Sequence, residues 1–156
     1  MSATKRRRWK IVLVSVALAG VAMQIVPYGR DRSNPRVIAE PAWDSPETRA
    51  LARRACFDCH SNETKWPAYA RVAPASWLVY YDVVKGREEL NFSEWQRPQK
   101  EAHEAADKVR DGDMPPPPYR LMHSSARLSS EERAALARGL ARTLGEEATH
   151  TARASR

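Results

Sequence analysis

The longest apolar stretch of the chain lies near its N-terminus, where residues 11–28 carry no charged side chain and one amide, Gln24. Lysines and arginines crowd residues 5–10 immediately before it. A basic flank followed by an apolar run indicates a membrane-spanning helix or a secretion signal. A small-residue pattern at 17–19 would suit a signal peptidase, but the apolar run continues past it. We expect a basic cytoplasmic flank over 1–10 and an uncleaved transmembrane anchor over 11–28, with a cleaved signal as the alternative.

Four later segments have apolar side chains at helical spacing, and none shows the alternation of a strand. The first begins at an N-cap, Asp44 or Ser45, and the second begins at Pro74. The third begins at Pro98 and ends near Gly112. The fourth begins at a Ser129–Glu132 capping box and ends at Gly145. The pattern predicts an all-α domain over residues 44–145. Residues 29–43 would form a linker and residues 146–156 a flexible tail.

The basic residues are concentrated outside this predicted domain. The net charge is +7, with 26 lysines and arginines against 19 acids. Ten of the basic residues lie at positions 5–10, 30–36 and 153–156, which leaves residues 37–150 near neutral. A duplex-binding protein normally carries its basic stripe on the folded body. We therefore expect no nucleic-acid partner.

Both cysteines of the chain lie close together, in the sequence Cys56-Phe-Asp-Cys59-His60. If the domain is exported, the pair could form a disulfide, but one spanning two residues closes a small loop and stabilises little. A thioredoxin-type pair expects βαβ units, and a structural zinc site expects about four ligands at regular spacing. The remaining interpretation is Cys-x-x-Cys-His, the attachment motif of a c-type haem.

The order of these residues suits that chemistry. Two thiols three residues apart on a helical turn can add across the two vinyl groups on one edge of the porphyrin. The next residue, His60, then projects beneath the ring and can bind the iron as its proximal ligand. We expect one haem c, covalently attached through Cys56 and Cys59.

Haem iron has a second axial position, for which Met114 is the leading candidate. It lies between two predicted helices in the sequence "GDMPPPPY", and the prolines would hold its loop rigid. A thioether is a soft ligand that raises the reduction potential. The alternative is that Met114 only begins a polyproline surface loop. His123 is the rival ligand, whereas Met122 suits the core and His103 suits a polar helix face.

Several segments, in this order, resemble the bacterial haem-binding domain family of membrane-anchored, single-haem c-type cytochromes. They are "YGRDRSNPRV", "EPAWDSP", "CFDCHSNETKWP", "APASWLV", "LNFSEW" and "GDMPPPPY". The resemblance implies a cytochrome c-like helical fold, attachment through Cys56 and Cys59, axial His60 and distal Met114. The sequence departs from it at "MPPPPY", where larger or aromatic residues are expected after Met-Pro.

Two kinds of function are compatible with these features. In the first, the protein is an electron carrier rather than a catalyst, anchored in the bacterial inner membrane with its haem domain in the periplasm. In the second, it is a gas or redox sensor or a small peroxidase with an open or labile distal site. A peroxidase needs a distal acid–base residue, for which only His103 or His123 is available. The sequence identifies no redox partner.

Overall fold

The computed structural model describes the backbone of residues 3–154 and the side chains of residues 4–145. Over this range the α-helices are α1 (Ala3–Ile25), α2 (Pro46–Ala55), α3 (Phe57–His60), α4 (Ala75–Glu89), α5 (Ala105–Asp111), α6 (Pro117–Met122) and α7 (Ser130–Ala154). Short 3₁₀ helices lie at Ala68–Arg71, Ala102–Glu104 and Ser124–Ala126. The described residues contain no β-strand, only an isolated bridge between Ala39 and Glu94. The all-α prediction is confirmed.

Local capping signals define several helix ends. The Ser45 hydroxyl accepts a hydrogen bond from the backbone N–H of Thr48 (3.1 Å), so Ser45 is the N-cap of α2. Ser129 and Glu132 exchange the two hydrogen bonds of a capping box at the start of α7. Gly112 ends α5 in the left-handed conformation (φ 83°), which glycine adopts without strain.

Two predicted boundaries are wrong. Residues 98–101 are not helical, because this segment bonds back to the end of α4: the N–H of Glu101 donates to the carbonyl of Glu89 (3.1 Å). At the other end of the chain, α7 continues through Gly145 to Ala154. One glycine costs a helix about 1 kcal/mol, which is too little to end it where good helix formers follow. The flexibility expected for 146–156 stays a prediction.

The chain divides into two compact units. The first unit comprises Met1–Ser33 and Trp66–Asp82, and the second unit comprises Asn34–Lys65 and Val83–Arg156. The first unit contains α1, which is long and apolar enough to cross a membrane, a property that a secretion signal shares. The second unit contains the Cys-x-x-Cys-His motif and most of the buried residues.

The core of the second unit is built from α2, α5 and α7 around a group of aromatic rings. Phe57 stacks on Phe92 (5.7 Å between ring centroids), and Trp43 packs on Phe92 (5.1 Å). Helices α2 and α7 approach closely at Gly139, where a Cβ atom would overlap the buried side chain of Thr48. The position therefore requires glycine, and the close crossing fixes α2, the helix that leads into the motif.

Candidate haem-attachment site

The two cysteines lie on a tight helical turn. Cys56 is the C-cap of α2, and its N–H donates to the carbonyl of Ala52 (2.7 Å). Its own carbonyl accepts the N–H groups of Cys59 (3.1 Å) and His60 (2.9 Å). Helix α2 thus runs directly into α3. We call residues 56–62 the attachment turn.

The imidazole of His60 is oriented by two backbone carbonyls. Its Nδ1 lies 3.0 Å from the carbonyl oxygen of Gly86 and 3.0 Å from that of Leu90. Carbonyl oxygens only accept, so Nδ1 carries the proton and Nε2 keeps its lone pair. Burial lowers the pKa of His60, although both carbonyl contacts act in the opposite direction. A neutral imidazole with a free Nε2 is the form that binds a metal.

Gly86 allows helix α4 to reach this histidine. A Cβ atom at position 86 would lie 2.5 Å from the carbonyl oxygen of Cys59 and 3.1 Å from its Cβ. Any larger residue would push α4 away from the attachment turn and remove the carbonyl that contacts His60. The role of Gly86 could not be predicted from the sequence, because close approach between distant segments leaves no local pattern.

Neither Cys56 nor Cys59 forms a disulfide. Burial, with a smaller contribution from Cys59, raises the pKa of Cys56 to about 12. Redox pairs depend on a lowered thiol pKa, so this environment argues against thiol–disulfide chemistry. Within the described residues, no group of three or more His, Cys, Asp or Glu side chains could hold a metal ion.

A buried polar network holds the attachment turn against the segment that follows α4. The Asn91 amide donates to the Asn62 side-chain oxygen (2.9 Å), and the Asn62 N–H donates to Ser93 (2.9 Å). The N–H of Phe92 donates to the carbonyl of His60 (2.8 Å). All three polar side chains are at most 2% exposed. Buried amides that satisfy each other fix the geometry of both segments.

Asp58, inside the motif, connects the attachment turn to α6. Its Oδ2 accepts the hydroxyl of Tyr119 (2.6 Å), and its Oδ1 accepts the N–H of Lys65 (2.9 Å). Tyr119 ends the sequence "MPPPPY" that begins with Met114. The segment carrying the predicted distal ligand is therefore tied to the segment carrying the proximal one. Neither Asp58 nor Tyr119 was predicted from the sequence to support the site.

Met114 itself lies in the connection between α5 and α6. Its N–H donates to the carbonyl of Lys108 (3.0 Å), and the next residue, Pro115, is buried. The Met114 side chain is 38% exposed. The expected polyproline segment is partly helical, because Pro117 and Pro118 occupy the first turn of α6.

The other candidate ligands have different surroundings. The His123 ring stacks on Tyr119 (4.1 Å between centroids), and its Nδ1 contacts the Tyr119 carbonyl (3.2 Å). The His103 side chain is 73% exposed and lies 3.6 Å from Glu104. Met122 is 62% exposed, so the expectation that it fills the core is wrong. His150 lies in the predicted tail, which argues against it as a ligand, and its side chain is outside the described residues.

The attachment turn fits a haem by the chemistry of its donors. It presents two thiols one helical turn apart and a neutral imidazole whose Nε2 is left free for a metal. In the first unit, the Nε1 atoms of Trp66 and Trp77 are buried without a hydrogen-bond partner among the described residues. The sequence predicts that an indole N–H of Trp66, Trp77 or Trp95 reaches a haem propionate without selecting one of the three, and this stays a prediction.

Comparison with known proteins supports the same cofactor. A family model described as a haem-binding domain matches residues 18–142. Neither the curated proteins nor the solved structures provide a match. The matched range includes the end of α1, the attachment turn, Met114 and the first half of α7. On this match, which spans most of its length, the chain belongs to the haem-binding domain family.

Proposed function

We propose that the protein is a membrane-anchored c-type cytochrome that transfers single electrons in the periplasm. One haem would be attached through Cys56 and Cys59, with His60 as its proximal ligand and Met114 as its distal ligand. The observation that carries this proposal is the orientation of His60, whose Nδ1 proton is directed to the Gly86 and Leu90 carbonyls. That arrangement serves an imidazole that binds a metal through Nε2.

The bound haem would supply an iron that accepts and releases one electron. The protein's own residues would keep its coordination unchanged during that exchange. The carbonyls of Gly86 and Leu90 hold the His60 proton at Nδ1, and burial lowers the pKa of the ring, which favours its neutral form. The link from Tyr119 to Asp58 restrains the segment that carries Met114. Electron transfer requires no side chain to act as a general acid or base.

We also propose that α1 stays attached as a transmembrane anchor in the bacterial inner membrane. The family match begins at residue 18, inside the apolar helix, so part of this helix belongs to the matched domain. The basic residues before it would remain in the cytoplasm. The alternative is a cleaved signal and a soluble periplasmic protein.

A sensor or peroxidase function is the second candidate. The exposure of Met114 favours it, since a partly exposed thioether is easier to displace than a buried one. The exposure of His103 weakens the peroxidase form of this candidate, because a distal acid–base residue works in a site protected from water.

Covalent attachment tests the proposal directly. The full chain would be produced in bacteria that express the haem-maturation machinery, then denatured and extracted with acidified organic solvent. We expect haem to stay on the wild-type chain and on the His103→Ala control, and to be lost from the Cys56→Ala/Cys59→Ala variant. Haem extracted from the wild-type chain would contradict the c-type assignment, although the chain would still be a haem-binding protein.

A further inference from the structure

The end of the apolar helix α1 is bonded to another segment of the first unit. The Gln24 side chain donates from Nε2 to the carbonyl of Ala73 (3.1 Å) and accepts the Ala73 N–H at Oε1 (3.0 Å). This paired contact satisfies both backbone groups of one residue with one side-chain amide. Ala73 lies just before α4, so the start of α4 is held at the end of α1.

The residues that follow α1 strengthen this connection. Arg30 donates to the carbonyls of Gln24 (2.5 Å) and Ile25 (3.0 Å), which have no partner within the helix. The Tyr28 ring packs edge-on against Tyr80 (5.1 Å). Gly29 adopts a left-handed conformation (φ 76°), and a Cβ atom there would lie 2.8 Å from the carbonyl oxygen of Ser76. Glycine is therefore required for the chain to pass so close to α4.

The length of α1 places this connection at the membrane surface. Its uncharged part, residues 11–25, is about 22 Å long at 1.5 Å per residue. The hydrocarbon core of a bilayer is roughly 30 Å thick, so the uncharged part alone is shorter than the core and α1 crosses it only with the help of the residues that flank this part. A short span draws its flanking residues into the interface. The segment bonded to Gln24 would therefore lie at the level of the lipid headgroups.

This segment exposes large apolar side chains that the first unit does not cover. Val72 is 56% exposed, Leu78 is 61% exposed and Tyr81 is 52% exposed. Leu78 and Tyr81 are three residues apart on α4, so they share one helix face. Arg71, also exposed, precedes Val72 and could contact a lipid phosphate. Aromatic, apolar and basic residues together are typical of a membrane interface.

We propose that Val72, Leu78 and Tyr81 form a lipid-contact surface that rests on the outer leaflet of the membrane crossed by α1. This inference rests on the proposed retention of α1. The occupant is the phospholipid itself, because the Gln24–Ala73 contact holds this surface at the end of the anchor. The surface would add a second membrane attachment to the single helix and restrict the orientation of the first unit.

Photochemical labelling tests the inference on the full chain. Leu78 or Tyr81 would be replaced by the photoreactive residue p-benzoylphenylalanine, and the haem-loaded protein reconstituted in vesicles of phosphatidylethanolamine and phosphatidylglycerol. The control is the same replacement at Leu121, which is 72% exposed and belongs to the second unit. After illumination, mass spectrometry would count the chains that carry a lipid adduct. We expect several-fold more lipid adducts at positions 78 and 81 than at 121.

Equal labelling at the three positions would overturn the inference, and so would adducts to protein rather than lipid at position 78. The visible spectrum of the same samples reports the haem site, and therefore the proposed function, independently. The intact mass shows whether α1 was retained. A chain cleaved near residue 19 would overturn both the anchor and the lipid-contact surface while leaving the haem assignment standing.

Discussion

The attachment turn and the segment around Met114 both belong to the second unit, but they are held in different ways. The attachment turn is fixed by the Asn62 and Asn91 amides, by the crossing at Gly86 and by hydrogen bonds from the segment after α4. Met114 has a backbone hydrogen bond to Lys108 and an exposed side chain, and its neighbourhood is tied to the turn through Tyr119.

This contrast indicates which of the two proposed axial ligands, His60 or Met114, stays bound to the iron. A ligand whose second nitrogen is bonded to buried carbonyls has little freedom to leave the metal. A ligand on a partly exposed connection can leave at a lower free-energy cost, because few contacts are lost when it moves. We therefore expect changes near His60 to abolish the haem site and changes near Tyr119 to weaken it.

Removing the proximal ligand should have the largest effect. In the His60→Ala variant the iron would lose its imidazole while the haem stays attached through Cys56 and Cys59. We expect the low-spin visible spectrum to disappear completely. The His103→Ala variant removes an exposed histidine and should leave the spectrum unchanged. An unaltered spectrum in His60→Ala would show that another residue binds the iron.

Separating α4 from the attachment turn should have the next largest effect. The added methyl group in Gly86→Ala cannot fit against Cys59, and relieving such an overlap typically costs about 1–3 kcal/mol. We expect guanidinium titration, followed by haem absorbance, to show that loss of stability. In the control Gly145→Ala, the new methyl group meets no atom within 4 Å, and the helix gains up to about 1 kcal/mol. Equal stability of the two variants would contradict the close approach.

Loosening the Met114 segment should have a moderate effect. Tyr119→Phe removes the hydroxyl that donates to Asp58, and a hydrogen bond to a charged group contributes about 1.5 kcal/mol. If that restraint favours Met114 on the iron, the variant's affinity for carbon monoxide should rise about tenfold, so that the reduced variant binds carbon monoxide under conditions that leave the wild-type spectrum unchanged. Tyr81→Phe, which removes a hydroxyl from the first unit, is the matched control. No change in Tyr119→Phe would mean that the link does not restrain the distal ligand.

Removing an ion pair that lies outside both regions should have the smallest effect. Arg49 donates to Glu40 and holds the pKa of that carboxyl below its ordinary value of 4.5. A lowered folded-state pKa stabilises the protein above the unfolded-state value, and this contribution is lost as the pH falls through the folded-state pKa. Glu40→Gln should therefore cost less than about 1 kcal/mol at neutral pH. Thermal unfolding should show that the stability difference between the wild type and Glu40→Gln vanishes in acid. A stability difference that grows in acid would contradict the lowered pKa of Glu40.

Local features of the sequence predicted much of the architecture. The start of α2 follows from Ser45 and Pro46, and the end of α5 follows from Gly112, because capping depends on neighbouring residues. The Cys-x-x-Cys-His motif is equally local and led to the cofactor that the family match supports. The roles of the individual ligands, including Met114, stay predictions.

The contacts that support the site could not be predicted in this way. Tyr119 is 61 residues from Asp58, and Asn91 is 29 residues from Asn62. Hydrogen bonds over such separations depend on how the helices pack, which produces no periodic or capping signal along the chain. The predicted end of α7 at Gly145 was wrong for the opposite reason, since the helix formers around this glycine outweighed its local effect.

The visible spectrum of the full chain, recorded oxidised, reduced, and reduced under carbon monoxide, tests the central claim most directly. The protein would be produced with haem-maturation machinery and purified in detergent. Low-spin spectra that carbon monoxide does not change would show that both axial positions are occupied, as electron transfer through a His60- and Met114-ligated haem requires. Rapid carbon monoxide binding by the wild-type protein would contradict that claim and favour the sensor or peroxidase function.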